Sequence, residues 1–156
     1  MMERIGEFLP FMLEGSVTTV QVFVITLVLS LPLGLPLALG SNSRFKPLSF
    51  LCKIYIWIFR GTPLMLQLWF FYFFFPFYFD ITLDAFTTAI VTYVLNYAAY
   101  FAEIYRGGIN SIDKGQYEAA YALGLSNSQT LFDIILPQTM KATLPPIVNE
   151  AITLVK

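Results

Sequence analysis

From Val17 to Gly40 the chain carries no charged residue. As a helix that stretch extends about 36 Å, enough to cross roughly 30 Å of hydrocarbon with some tilt. Two more apolar runs follow, over about 54–79 and 85–105, and a fourth starts near Ala142 and occupies 142–156. A backbone in lipid must satisfy its own N–H and C=O groups, so each run is expected to be helical. The predicted class is an all-α integral membrane protein, one domain over 1–156. Composition agrees, since 57% of residues are apolar, 12% are charged, and 16 Phe and 9 Tyr sit among 156 residues. A soluble domain of this size has too little core to bury them.

The same residues exclude several classes. The start carries Glu3, Arg4, Glu7 and Glu14, so it lacks the basic opening of a secretory leader. A net charge of −1 gives no nucleic-acid surface. The chain has no His and only Cys52, which rules out an internal disulfide, a Cys/His metal cluster and an imidazole-based triad. No catalytic set, metal or bound cofactor is expected.

Each connection carries its own signal. Pro32 and Pro36 each remove a backbone donor inside the first span, and a kink is expected there. Ser41 to Lys53 holds Arg44, Lys46 and Lys53 without an acid, whereas Asp80 and Asp84 flank the next loop. The positive-inside rule puts the first connection in the cytoplasm and the N-terminus outside. Arg60-Gly61-Thr62-Pro63 interrupts the second span, and a helix loosened at Gly61-Thr62-Pro63 is expected. Trp69 and its many Phe and Tyr neighbours predict a lipid face. The third span carries Thr87, Thr88, Thr92, Asn96, Ala98 and Ala99. Small and hydroxyl side chains favour close packing, so this span is placed in the bundle interior. Glu103 and Arg106, one turn apart, are expected to pair, with Arg60 near enough to join. Gly107 and Gly108 are read as the loosened exit of the span.

Residues 111–138 are too polar to cross lipid and divide into two short helices. Good helix formers occupy Gly115–Leu123. Gly124 stands where a left-handed residue would end that helix. Ser126 precedes Gln129 at capping-box spacing. A second helix carrying Leu131, Phe132, Ile134 and Ile135 is expected to stop before Pro137. Leu123, Leu125 and Phe132 would be exposed unless another surface covers them.

The order Glu118-Ala119-Ala120, Gly124, Ile134 and Leu136-Pro137 resembles the EAA signature of permease subunits in bacterial ATP-binding-cassette (ABC) importers. Arg60-Gly61-Thr62-Pro63-Leu64, Ala102 to Ile109, Gly115-Gln116, Leu136-Pro137-Gln138 and Leu144-Pro145-Pro146 with Asn149-Glu150 are similar to the polar amino-acid subfamily, which includes glutamine, histidine and arginine permeases. The resemblance covers essentially the whole chain. It implies the type I ABC importer transmembrane fold, in a bacterial inner membrane with the N-terminus outside. Members usually have five spans, so the chain is expected to be truncated at its C-terminus.

The resemblance also implies partners. These are ABC ATPase subunits, a second permease copy or a paralogue, a periplasmic or lipid-anchored solute-binding protein, a polar amino acid and membrane lipid. ATP and Mg would be used by the ATPase partner, since this chain has no phosphate-binding Gly-x-x-x-x-Gly-Lys-Ser/Thr loop. Glu118, Ala119, Ala120, Gly124, Leu125 and Ser126 would couple to that partner. An acid matching Glu150 and an amide matching Asn96 would lie on the substrate path, with Gln67 a weaker candidate. Arg60, Gly61, Thr62, Pro63, Glu103, Arg106 and Pro137 are expected to be structural. The alternatives are a secondary carrier, a membrane-embedded enzyme or a nonfunctional remnant. A carrier usually shows internal repeats, and these segments do not repeat.

Overall fold

The computed structural model describes residues 2–155, with side chains from Pro10 to Val155. Met1 and Lys156, at the ends of the expected domain, lie outside the described residues, as do the side chains of Glu3, Arg4 and Glu7. Among the described residues all regular structure is helical. Two helices are long and apolar enough to cross a membrane, in Pro10–Ser41 and Ala85–Ser111. A third crossing is available if the bent pair Lys46–Gly61 and Leu64–Phe79 is counted as one span.

Helix α1 is Met2–Ser41 and stays helical through Pro10, Pro32 and Pro36. Helix α2, Lys46–Gly61, starts well before the expected position. Pro47 lies in its first turn, where a fixed φ favours helix and the missing N–H costs nothing. Most of the expected polar connection is therefore helical. Ser49 Oγ ties the new start to α1 by donating to the Ser41 carbonyl at 2.7 Å.

At Gly61-Thr62-Pro63 the chain breaks outright, and the flanking helices meet at 104°. Thr62 is extended, with φ −113 and ψ 143, as the residue before a proline prefers. Helix α3, Leu64–Trp69, runs through a π-helical turn, Phe70–Phe74, into α4, Phe75–Phe79. Asp80 ends that rod in the left-handed region at φ 54.

Helix α5, Ala85–Ser111, begins on an Asp84 cap, whose carboxylate accepts from Thr87 N at 3.1 Å and Thr87 Oγ1 at 2.6 Å. Those bonds, the hydroxyl first, hold the Asp84 carboxyl below its ordinary range. The cap's contribution is therefore present above the unfolded carboxylate pKa and is lost as pH falls through the lowered folded one. Helix α5 is the spine of the bundle and touches α1, α2, α3 and α8.

Two short elements follow, α6 at Lys114–Ala122 and α7 at Asn127–Gln129. From α7 the chain passes through a second π turn, Thr130–Ile135, directly into α8, Leu136–Val155. This corrects the expected stop before Pro137 and the expected start near Ala142. Both π turns end two residues before a proline, Pro76 and Pro137. Their closing bonds, Phe75 N to Phe70 O and Leu136 N to Leu131 O, span five residues. A proline ring collides with the carbonyl four residues back. Widening the preceding turn moves that carbonyl aside, and the helix continues.

Small residues set the spacing between helices. Ala38, Ala98, Ala99 and Ala102 are buried. Around them Tyr97, Phe101, Tyr105 and Ile56 form the core. Thr88, Thr92 and Ser30 donate to carbonyls one turn back in their own helices, so their hydroxyls are satisfied without separating the helices. Gly108 corrects another expectation. It lies inside α5, not at a loosened exit, and faces Thr139 and Thr143 of α8 where a Cβ has no room. At Gly34 an added Cβ would sit 2.8 Å from Phe101 Cβ and 3.0 Å from the Ala102 amide nitrogen.

Gly34→Val should cost about 1–3 kcal/mol by overpacking, read as a lower melting temperature of the purified protein in detergent. Gly15→Val, where nothing lies within 4 Å, should leave melting nearly unchanged.

Candidate functional site

The break between α2 and α3 strands carbonyl oxygens, and two side-chain amides cover them. Gln67, buried in α3, donates to the carbonyls of Phe59 at 3.0 Å and Thr62 at 3.1 Å, and to Thr62 Oγ1 at 2.7 Å. Asn96 of α5 donates to the Phe59 carbonyl at 2.9 Å and to Gln67 Oε1 at 3.0 Å. Asn96 is 4% exposed and lies about 17 Å along α5 from Ala85 at 1.5 Å per residue. The sequence marked both amides and the break separately, as path and structural residues. The structure makes them one network. No spacing rule links residues so far apart in the chain, so only the fold reveals it. Tyr55, not singled out from sequence, adds a bond from its hydroxyl to the Leu95 carbonyl at 2.6 Å.

About two helical turns beyond Asn96 toward the basic end, Glu103 accepts two bonds from the Arg106 guanidinium. Arg60 reaches the same carboxylate at 3.9 Å and lies over the Tyr100 ring at 5.2 Å from its centroid. All three charged residues are thus brought together, as their spacing had led one to expect. Arg60 is held there although Gly61, Thr62 and Pro63 turn the chain away immediately after it.

Helices α6 and α7 form a protrusion beyond that end. Asp113 caps α6 through Gly115 N. Gly124, at φ 74, ends it with paired bonds, Gly124 N to Tyr121 O and Leu125 N to Ala120 O. That is the Schellman arrangement, which needs a left-handed residue and so favours glycine. Ser126 and Gln129 form the reciprocal capping box. Burial of the Tyr117 ring pushes its hydroxyl pKa upward.

Glu118, Ala119, Gly124 and Ser126 are exposed, and Leu125 is half-buried. Ala120 is the exception among the expected contact residues. It faces inward at 3% exposure, where its small side chain lets α6 lie close to the second π turn. Leu123 is 79% exposed and Phe132 60% exposed. Tyr121, which sequence reasoning passed over, is also exposed, and its hydroxyl donates to Asn127 Oδ1 at 3.0 Å.

Glu150 lies far from the protrusion, on α8. Ile147 and Leu154 pack on the core, and Glu150 shares their face by helical spacing. It is half-buried and within electrostatic reach of Tyr97. Asn96 and Glu150 are not joined by a hydrogen bond. Among the described residues no group of His, Cys, Asp and Glu is arranged to hold a metal ion.

Residues 30–156 match the family of binding-protein-dependent transport system inner membrane components. The chain is 46% identical over 148 residues to an arginine transport system permease protein, ArtQ, of Bacillus subtilis (strain 168), covering 95% of this chain and 68% of that protein. It is 38% identical over 159 residues to a putative glutamine transport system permease protein, GlnP, of Rickettsia felis, covering 100% of this chain and 73% of that protein. A crystal structure of an amino acid ABC transporter with histidines contains a chain that superposes with a TM-score of 0.89 at 33% identity, over 97% of this chain and 71% of that one. An inward-facing methionine ABC transporter, MetNI, shares the fold, with a TM-score of 0.71 at 22% identity over 99% and 73% of the two chains.

Asn96→Ala leaves a buried Gln67 oxygen unpaired and should cost about 1–2 kcal/mol in thermal unfolding. In a cycle with Gln67→Ala, the double variant should lose less than the sum of the two single losses, because the amides bond each other. Strict additivity would mean the network carries no coupling.

Proposed function

The chain belongs to the family of binding-protein-dependent transport system inner membrane components, and we propose that its protrusion is the contact through which a separate ATPase drives amino-acid import. It is a multi-pass inner-membrane permease subunit of an ABC importer of amino acids, with the type I importer transmembrane fold. The N-terminus is outside and the basic end, with the protrusion, faces the cytoplasm. ATP and Mg are used on the ATPase, and this subunit binds neither. A second permease, identical or paralogous, completes the pore, and an external binding protein delivers the substrate.

One observation supports the coupling reading above the rest. The protrusion is rigidly capped at both helix junctions, yet Leu123 and Phe132 remain uncovered. A stiff element with bare apolar side chains suits a groove in a partner. Its second helix is continuous with α8, so displacement of the protrusion is carried along α8 toward Glu150. A nucleotide-driven partner can then bias two conformations by its differential affinity for them.

The substrates are polar amino acids, in line with the arginine and glutamine systems named among the relatives. Glu150 is the residue assigned to the path. It is an ionisable group on the core-facing side of an apolar helix, costly there unless it faces a cavity or a cation. Asn96 acts on the path indirectly, since its amide group is committed to the helix break. Arg60, Glu103 and Arg106 position the ends of α2 and α5.

A cysteine at Ser126 should crosslink to an ATPase groove residue in the assembled transporter, with a yield that changes when nucleotide is added. Absence of any crosslink would remove the coupling role. Glu150→Gln should weaken uptake of arginine about tenfold or more relative to glutamine, the loss of one partly buried charge interaction. Equal effects on both substrates would remove charge recognition from Glu150.

A further inference from the structure

At the basic end, a cavity of about 510 Å³ opens between the ends of α1, α2 and α5. Ser41, Lys53, Trp57, Arg60, Glu103 and Arg106 line it. Three cations thus meet one carboxylate. That carboxylate is already taken, chelated by Arg106 and approached by Arg60 at 3.9 Å. Lys53 has no acidic partner among the described residues. The cavity therefore keeps an excess of positive charge.

A second recess, lined by Lys46, Ser49, Phe50 and Lys53, shares Lys53 with the first. Lys46, Lys53 and Arg60 recur every seventh residue and so form one row along α2. On one side of the row Cys52 and Ile56 are buried against the bundle. On the other side Phe50 is 64% exposed and Trp57 75% exposed. The basic row marks the seam between protein and open apolar surface.

We infer that this seam binds the phosphate headgroup of an anionic phospholipid such as phosphatidylglycerol, with the acyl chains lying along Phe50 and Trp57. Long basic side chains at such a seam carry their charge to headgroup level while their stems stay in apolar surroundings. Basic pockets between spans on the cytoplasmic side suit anionic headgroups, and the cytoplasmic leaflet supplies them. Trp at this depth has an apolar ring and a polar N–H, which suit the interface. A free amino acid fits less well. Its ammonium needs an acid, and the single acid present is held by two arginines. Free inorganic phosphate would gain nothing from the apolar flank. Such a site rests on the proposed membrane orientation but not on the substrate, so it stands or falls separately from the amino-acid reading.

The test is native mass spectrometry of the transporter assembled with its ATPase and released from membranes containing phosphatidylglycerol and phosphatidylcholine. Wild type should retain phosphatidylglycerol in preference to phosphatidylcholine. Lys53→Gln should reduce that retention about fivefold, as expected for one basic residue at the membrane surface, and Lys53→Arg should restore it. Trp57→Ala should reduce retention of both lipids. Co-elution of the ATPase separates loss of the site from loss of assembly, and Lys141→Gln, away from the cavity, should behave as wild type. Unchanged phosphatidylglycerol retention in Lys53→Gln would overturn the site. Displacement of the lipid by saturating arginine, glutamine or inorganic phosphate would also overturn it, and would assign the cavity to a soluble ligand.

Discussion

A helix broken at Gly61-Thr62-Pro63 leaves carbonyl oxygens without their helical donors, and the side chains around residues 59–67 answer that constraint. Thr62 must be extended because Pro63 follows it, so helical bonds cannot continue. In hydrocarbon each unpaired group would cost several kcal/mol. Gln67 folds back over the break and Asn96 crosses from α5 to close it. The break fixes where α3 leaves α2, and therefore where Arg60 and the aromatic rod Leu64–Phe79 lie relative to the spine. Asn96 in turn fixes the height at which α5 passes. One cluster of amides thus sets the register of three helices.

The remaining contacts follow from small residues. Gly34 and the alanines of α5 bring α1 against the spine, while Gly108 brings α8 against its far end. In lipid there is little hydrophobic gain from joining two apolar helices, so close van der Waals approach has to supply the attraction. This explains why α5 carries alanine, threonine and tyrosine on its buried faces, while α3 and α4 spread bulky aromatics outward. The outer aromatics stack along their own rod, Phe70 on Phe74 and Phe75 on Phe79.

Much of this was legible before any coordinates. Long uncharged runs marked α1 and most of α5, and the small, hydroxyl-rich residues of α5 are buried as expected. Gly124 and the Ser126–Gln129 pair announced their turn and cap, because those signals are local and each rests on one backbone geometry. The misreadings share a cause as well. Pro137 and the glycines at 107–108 were read as breaks because their intrinsic preferences point that way. The π turn before Pro137 and the threonines opposite Gly108 override those preferences, and neither is visible in a local window. The start of α2 was missed because three basic residues suggested a loop, whereas only Arg44 precedes the helix and Lys46 and Lys53 lie on one side of it. The Gln67–Asn96 network was out of reach, since it depends on two helices meeting at a given height.

A proline inside a helix ordinarily kinks it, and a kink absorbs displacement. Here the widened turn before Pro137 lets α7 and α8 remain one element, which gives the proposed coupling contact a continuous helix to act on. Further along that element Gly108 packs against Thr139 and Thr143. Beyond it, Glu150 lies about 10 Å further along α8, at 1.5 Å per residue from Thr143. The tight crossing at Gly108 stands between the protrusion and Glu150, and Pro145 and Pro146 lie between that crossing and Glu150. Helix α8 also touches α1, whereas the amides at the break join α2 and α3 to α5. The amide network and the Gly108 crossing therefore belong to different helix pairs, the first joining α2 and α3 to α5 and the second joining α8 to α5.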